Sequence, residues 1–236
     1  MKLSVIVPVY NEESTIEEVI GRVLAVDLGP IDKEVIISND GSTDGTQATI
    51  TRSVWARDPR VKAHHSPINL GKGAAVRFGL HHAAGDILLI QDADLELDPQ
   101  EYGSLLAPIL RGDANVVYGS RFLGRSNVIS LRTRAANRFL TWLTNLLFGA
   151  RLTDMETAYK VFRRPAIENV RLRCVGFDFE PEITARLLRA GERIVEVPVR
   201  YQPRRVEQGK KIGLRDGFDA IYALLKCRFE RPTPSP

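Results

Sequence analysis

Asp92-Ala93-Asp94-Leu95-Glu96 puts three carboxylates at alternate positions directly behind an apolar run, Asp86-Ile87-Leu88-Leu89-Ile90. If the chain stays extended past Ile90, alternation by two turns all three acids to one side. Hard oxygen ligands gathered in this way suit Mg²⁺ or Mn²⁺, which take one or two protein carboxylates and complete their shell with substrate phosphates. A solvated acidic turn at a strand end would carry the same residues, so the surrounding chain has to decide between the two. A second feature is Gly71-Lys72-Gly73, where backbone N–H groups and the Lys72 ammonium could meet a phosphate at a helix start. A plain helix N-terminus accounts for those residues too.

The elements that must position these groups alternate. β-Branched or apolar runs at 3–10, 34–38, 61–65, 86–90 and 114–118 read as buried strands, and Pro8 falls near the end of the first, where a lost ladder bond is tolerated. Between them lie helical patterns. Ile16, Val19, Ile20, Val23 and Leu24 recur at helical spacing, a second helix runs through Ile50, Val54 and Trp55, and a third covers 74–84. Asp98-Pro99 reads as an N-cap with proline at the first helical position. Strands alternating with helices predict a parallel sheet with right-handed crossovers, and in such sheets ligands sit outside the carboxyl ends of the strands. The polar clusters at 10–12, 39–44, 69–73 and 92–96 all fall at such ends.

The second half is read more coarsely. Strands are expected at 158–162 and 193–201, the latter at an edge because of Pro198, and helices at 130–148, 176–190 and 214–229. In the 130–148 helix, Leu131, Ala135, Phe139, Trp142, Leu143, Leu146 and Leu147 form one stripe and Arg134, Arg138, Thr141 and Asn145 another. That pattern fits a helix packed on the core by its apolar stripe, or one lying at a membrane interface. The last helix places Phe218, Ile221, Leu224 and Leu225 on one face, and residues 231–236 read as a disordered tail.

Composition narrows the classes. The 236 residues are 44% hydrophobic and 26% charged, enough for one large α/β domain with a full core. Cys174 and Cys227 give neither a disulfide framework nor metal-ligand spacing, which predicts structural thiols in a reducing compartment. Met1-Lys2 runs straight into the first strand, so no signal peptide is expected, and no apolar run is long enough for a membrane span. A net charge of +4 is modest and calls for no nucleic acid. Neither G-x-x-x-x-G-K-[ST] nor G-x-G-x-x-G follows the first strand.

Taken together, Val7-Pro8-Val9-Tyr10-Asn11-Glu12, Asn39-Asp40-Gly41-Ser42-Thr43-Asp44-Gly45-Thr46 and Asp92-Ala93-Asp94 resemble the GT-A fold, family 2 glycosyltransferases. Gly119-Ser120-Arg121-Phe122, Asp154-Met155-Glu156-Thr157-Ala158-Tyr159-Lys160, Phe179-Glu180-Pro181-Glu182 and Gly209-Lys210-Lys211 are similar to its dolichol-phosphate mannose synthase-like branch. The resemblance implies an α/β, Rossmann-like, mostly parallel sheet flanked by helices, with amphipathic helices in the C-terminal half. It implies a single domain over 1–230, with the nucleotide-sugar and metal half at 1–120 and the acceptor half at 121–230.

The activity implied is inverting transfer of one sugar from a nucleotide sugar, of GDP-mannose or UDP-glucose type, to a polyprenyl phosphate. By position, Pro8, Tyr10, Glu12 and Asp40 would line the base and ribose pocket, and Asp92, Asp94 and Glu96 would hold Mg²⁺ or Mn²⁺ against the diphosphate. Asp154 would join Asp92, Asp94 and Arg121 as catalytic residues, and Lys72 would help bind the donor. A phosphate acceptor needs cations rather than a strong base, and Arg121, Arg134 and Arg204, with Lys210, are the candidates. Asn39 departs from the family's usual first aspartate, Glu96 replaces a glutamine of some mannose synthases, and the C-terminal membrane helices of many relatives have no counterpart. A peripheral position at the cytoplasmic face of a membrane is therefore expected, with a homo-oligomer or a membrane subunit left open as partners. The rivals are a family 2 enzyme with a non-lipid acceptor, a nucleotidyltransferase and a nucleotide-sugar-binding subunit of a membrane complex. No Q-x-x-R-W element of processive synthases is found.

Overall fold

The computed structural model describes residues 1–124, 130–203 and 214–230. In chain order the elements are β1 (Lys2–Val9), α1 (Ile16–Ala25), β2 (Asp32–Asn39), α2 (Thr46–Arg52), β3 (Val61–His65), α3 (Lys72–His82), β4 (Ile87–Ile90) and α4 (Tyr102–Leu110). They continue with β5 (Val116–Ser120), α5 (Leu131–Phe148), β6 (Lys160–Arg163), α6 (Arg164–Glu168), α7 (Phe179–Arg189), β7 (Ile194–Pro198) and α8 (Leu214–Phe229).

One seven-stranded sheet results, in the order β3-β2-β1-β4-β6-β5-β7. All pairings are parallel except the two made by β6, which lies antiparallel between β4 and β5. That inversion sets Lys160, the first residue of β6, opposite Ile90, the last of β4. A lysine of the second half thus reaches the same sheet edge as the acidic turn. Pro8 is tolerated because β4 pairs with β1 only as far as Ile6. β7 is an edge strand, as Pro198 predicts.

β1, β2, β4, β5 and β6 are buried over most of their length, which explains their apolar runs, while the edge strands β3 and β7 are partly exposed. Val5, Val7, Ile37 and Leu89 pack against Ile16, Val19, Ile20 and Val23 of α1 and against Tyr102 and Leu105 of α4. Ile6, Ile36, Leu88 and Ile90 face Val76 of α3 and Phe179 and Ile183 of α7. Each such side chain contributes about 1.5–3 kcal/mol by leaving water. Leu140, Met155, Ala185 and Leu224 form a smaller cluster that joins α5, α7 and α8.

Several elements differ from the sequence reading. The helix expected through Val54 and Trp55 stops at Arg52, because Ser53 turns extended and its hydroxyl accepts from the Trp55 amide to start a 3₁₀ turn, Val54–Arg57. α6, opened by Arg164-Pro165, was not foreseen.

The larger correction concerns α5. Its inward face is Leu140, Thr141 and Thr144, with Leu143 and Leu147 of the expected stripe packed against the same cluster, while Leu131, Phe139, Trp142 and Leu146 of that stripe point to solvent. Burial of the threonines is satisfied locally: Thr144 Oγ1 donates to the Leu140 carbonyl and Thr141 Oγ1 accepts from the Met155 amide. The same sorting occurs in α8. Leu224 is buried and Ile221 joins that cluster, but Phe218 and Leu225 lie outside it, with Tyr222 and Phe229 exposed beside them. Among the described residues no helix is long and apolar enough to cross a membrane. The basic stretch 204–211 and the tail 231–236 lie outside the described residues.

Candidate active site

The acidic turn is not an extension of β4. The last ladder bond is Gln91 N to the Ile6 carbonyl, and Leu95 then takes a left-handed φ of 61°. Asp94 Oδ1 accepts the Glu96 amide, the two-residue side-chain turn that short acids favour. The three carboxylates therefore stand on a folded loop and not on an extended continuation of the strand.

Buried Gln91 anchors that loop. Its Oε1 accepts the hydroxyls of Tyr102 and Tyr159, both at 2.8 Å, and its Nε2 donates back to the carbonyls of Asp92 and Leu97. The far side is tied to the second half of the chain: Gln202 N donates to the Glu96 carbonyl and Tyr201 OH to Glu96 Oε2. Asp98 accepts from the Gln100 amide as the N-cap, with Pro99 opening a 3₁₀ turn ahead of α4.

Lys72 projects into this edge. Its ammonium lies 3.0 Å from Asp92 and 2.7 Å from Glu180 at the start of α7. Burial works against its charge, but the two carboxylates more than offset that and hold its pKa above the ordinary lysine value. The amides around it are not open to a phosphate, contrary to one reading of Gly71-Lys72-Gly73. Leu70 N and Gly71 N donate to Asp40, while Gly73 N and Ala74 N donate to the carbonyls of Gly176 and Val175. The 174–176 backbone packs so close that a Cβ at Gly71 or Gly73 would stand 2.4 or 2.7 Å from a carbonyl oxygen. These glycines admit a chain segment, and the lysine alone is left for a ligand.

The nucleotide-side loops are laced to one another. Asn11 binds Ser42 and Thr43, the Glu12 amide donates to Thr46 Oγ1, and Glu13 meets the 44–45 turn. Tyr10 and Glu12 stand at the end of β1 beside Pro8, as their positions predict. Asp40 is buried, with both carboxylate oxygens engaged by the Leu70 and Gly71 amides, so it braces two loops at this edge. At position 39, Asn39 Nδ2 lies 3.0 Å from His65 Nδ1, and its Oδ1 accepts from the Ser42 hydroxyl and amide. A separate cleft of about 830 Å³ between the 3₁₀ turn and β3 has no carboxylate in its lining and meets this edge only at His65.

Arg121 and Asp154 form the other pole. Asp154 is fully buried and takes three bonds from Arg121, from the backbone N at 2.9 Å and from Nε and Nη2 at 2.7 Å each. The planar fork expected to grip a phosphate is thus closed on a carboxylate, and Nη1 is what that pairing leaves unused. Glu196 of β7 holds Asp154 in turn by accepting the Thr153 and Asp154 amides. The Arg121 guanidinium lies 5.3 Å from the centre of the Tyr201 ring. Removing one partner of such a buried pair costs about 3–5 kcal/mol.

Between the poles lie three residues that no site assignment from sequence included, although all stand in the motifs quoted. Glu180 pairs with Lys72. Lys160 is fully buried over the Tyr118 ring and donates to the carbonyls of Met155 and Thr157, and burial lowers its pKa. Glu156 is raised by burial and then by the Glu180 charge, and its Oε1 is buried without a hydrogen-bond partner. Arg134, in the first turn of α5, likewise has a buried Nε with no hydrogen-bond partner. Arg204 and Lys210 lie outside the described residues.

Among the described residues no three acidic, histidine or cysteine side chains converge into a metal cage. A Mg²⁺-type ion takes one or two protein carboxylates and its other ligands from substrate phosphates and water. Asp92, Asp94 and Glu96 supply hard oxygens of the right chemistry on one short loop.

Known proteins show the same pattern. The profile of Glycosyl transferase family 2 matches residues 4–171. The chain is 32% identical to the glycosyltransferase AglD of Haloferax volcanii over 211 residues, which is 86% of this chain and 34% of that protein. It is 30% identical to the undecaprenyl-phosphate mannosyltransferase of Micrococcus luteus, over 90% of this chain and 88% of the relative. The dodecaprenyl-phosphate galacturonate synthase of Rhizobium johnstonii is 28% identical, over 97% of this chain and 67% of its own length. The chain thus spans about a third of the archaeal relative and most of the Micrococcus one. Among solved structures, glucosyl-3-phosphoglycerate synthase from Mycobacterium tuberculosis, in complex with Mn²⁺, uridine diphosphate and phosphoglyceric acid, superposes with a TM-score of 0.72 at 22% identity. That match covers 98% of this chain and 80% of the synthase, and it identifies the fold.

Proposed function

The chain belongs to glycosyltransferase family 2, and from that premise we propose that it transfers a sugar, with inversion, from a nucleotide sugar to a polyprenyl phosphate. Both prenyl-phosphate relatives above support that acceptor class. In the reaction an acceptor phosphate oxygen attacks the anomeric carbon, the bond from that carbon to the nucleoside diphosphate breaks, and the diphosphate departs with the electron pair. A phosphate monoester is largely ionised near neutral pH, so no strong general base is required. Asp92, Asp94 and Glu96 would hold Mg²⁺ or Mn²⁺, which when bound neutralises charge on the diphosphate. Lys72 would share the diphosphate charge, while Pro8, Tyr10, Glu12 and the Asp40-braced loops receive the nucleoside.

The observation that carries the lipid acceptor is on α5, where one helix bears both a buried arginine nitrogen without a hydrogen-bond partner and an apolar face. The buried, unpaired Nε of Arg134 stands in its first turn. From the same turn onward Leu131 (83% exposed), Phe139, Trp142 and Leu146 form an outward stripe. α8 packs beside α5 with its own stripe, Phe218, Tyr222, Leu225 and Phe229, of which Phe229 is 77% exposed. Exposed Arg132, Arg138, Lys226 and Arg228 accompany the stripes. Apolar side chains with flanking cations suit the interface of an anionic membrane, where a prenyl phosphate keeps its tail in lipid. A peripheral position on a membrane follows, whether through these helices alone or with a membrane subunit.

The test is transfer in vitro. Purified protein, Mg²⁺ or Mn²⁺, a panel of nucleotide sugars and a short polyprenyl phosphate should yield a prenyl-phosphate sugar and the nucleoside diphosphate. The protein should also co-sediment with anionic vesicles, and Trp142→Ser with Phe218→Ser should reduce that binding about tenfold, since two large side chains leave the interface. Transfer to a soluble phosphorylated acceptor with none to the prenyl phosphate would overturn the lipid reading.

A further inference from the structure

Among the described residues, half-buried Glu156 carries a buried carboxylate oxygen at this edge that has no hydrogen-bond partner. Asp92 and Glu180 share Lys72, Asp154 holds Arg121, and Glu196 accepts two amides, whereas Glu156 Oε1 has no partner among the described residues. A buried polar atom left unpaired costs about 1–3 kcal/mol, and such atoms in folded proteins call for a specific cause. Five carboxylates here face three cations, Lys72, Arg121 and Lys160. None of those cations donates to Glu156 Oε1. Lys160 directs its hydrogen bonds to backbone carbonyls instead.

The charges that act on Glu156 come from both poles: Glu180, the partner of Lys72, on one side, and the Arg121–Asp154 pair on the other. In the reaction proposed above, the only group that must lie between the diphosphate and the acceptor phosphate is the transferred sugar. We propose that Glu156 is a specificity-determining residue, whose orphan carboxyl oxygen accepts a hydrogen bond from a hydroxyl of the donor's glycosyl group. A phosphate oxygen could pair only with a protonated Glu156, because the ionised carboxylate repels it, whereas a sugar hydroxyl can donate to either form. A site built around that bond also rejects a sugar lacking the hydroxyl, because the oxygen is then left unpaired again.

This inference rests on the nucleotide-sugar reading, and the experiment separates the two. Calorimetry with Mg²⁺ compares GDP-mannose and UDP-glucose with GDP and UDP, for wild type, Glu156→Ala and Glu156→Gln. The expected result is that Glu156→Ala weakens the preferred nucleotide sugar about tenfold and leaves the corresponding nucleoside diphosphate within about twofold. Equal weakening of both would make Glu156 a structural residue, and no change in either would leave the orphan oxygen without a role; each overturns the proposal. Glu156→Gln keeps the shape but puts an amide in place of the carboxyl, so it carries the test if the alanine variant does not fold. Its amide oxygen can still accept the sugar hydroxyl, so it should hold the preferred nucleotide sugar within about threefold of wild type, and a loss of about tenfold or more overturns the proposal. Wild type that binds the nucleoside diphosphates but gains nothing from either sugar would sink this inference alone. Wild type that binds none of the four would sink the nucleotide-sugar reading with it.

Discussion

Two buried clusters of charge lie at opposite ends of the same strands. At the amino ends, Glu34 of β2 accepts from Lys2 Nζ at 2.8 Å, Lys62 Nζ at 2.9 Å, Ser4 Oγ at 2.7 Å and the Ala84 amide at 2.7 Å. One carboxylate is met by two cations and two neutral donors drawn from β1, β3 and the end of α3. At the carboxyl ends, carboxylates outnumber cations, Glu156 has an unpaired oxygen and Lys160 finds only carbonyls and a ring. The first cluster is closed on itself and fastens strands. The second holds unpaired atoms and surplus charge that a ligand can satisfy. Burial alone does not separate structural from functional charge; completeness of pairing does.

The contrast can be broken most severely at Arg121–Asp154, the one part of the carboxyl-end cluster that is as closed as Glu34. Asp154→Ala should lower stability by about 3–5 kcal/mol, read by denaturant titration, because Arg121 is left buried without its partner. A loss below about 1 kcal/mol would show that the pair is dispensable to folding and belongs with the open groups.

Asp94→Ala should behave in the opposite way. Transfer is expected to fall on the order of 10²–10³-fold, with a melting temperature within about 2 °C of wild type, since Asp94 serves the proposed metal and one local turn. Excess chelator should abolish transfer and added Mg²⁺ or Mn²⁺ restore it. Full turnover in chelator would return the acidic loop to a plain turn.

The smallest effect is expected at Glu34. Burial alone would raise its pKa, but Lys2, Ser4, Ala84 and Lys62 bring it down from 4.5 to about 2. Because the folded value lies below the unfolded one, its stabilisation is complete above about pH 4.5 and fades as the pH falls toward 2. Glu34→Gln should therefore cost about 1–3 kcal/mol at pH 7 and flatten the loss of stability between pH 4.5 and 2, with activity per folded molecule unchanged. A variant with an unaltered acid profile would place the acid sensitivity elsewhere.

Much of this was legible in the chain. The strands at β1 to β4, the N-cap at Asp98 and the ligand edge follow from short apolar runs that end in polar clusters, because a strand buried on both faces leaves only its ends for chemistry. The acidic residues were found by type, yet their arrangement was misread: a left-handed Leu95 and the Asp94 turn break the alternation that extended chain would give. For α5, periodicity marked two stripes but could not say which faces inward, since threonines bury as readily as leucines once their hydroxyls are paired, Thr144 with the Leu140 carbonyl and Thr141 with the Met155 amide.

Residue types and their order thus determined an α/β sheet, a carboxylate loop behind β4 and basic candidates in the second half. Only the tertiary structure decided who is already paired. Arg121, Asp40 and the amides around Lys72 looked available in sequence; partners 30 to 33 residues away, and the 175–176 backbone for the Gly73 and Ala74 amides, close them. Glu156 was not among the site candidates, and it keeps a buried oxygen without a hydrogen-bond partner among the described residues. Availability is a property of what surrounds a group after folding, and it comes from contacts between segments whose separation in sequence carries no signal of their meeting.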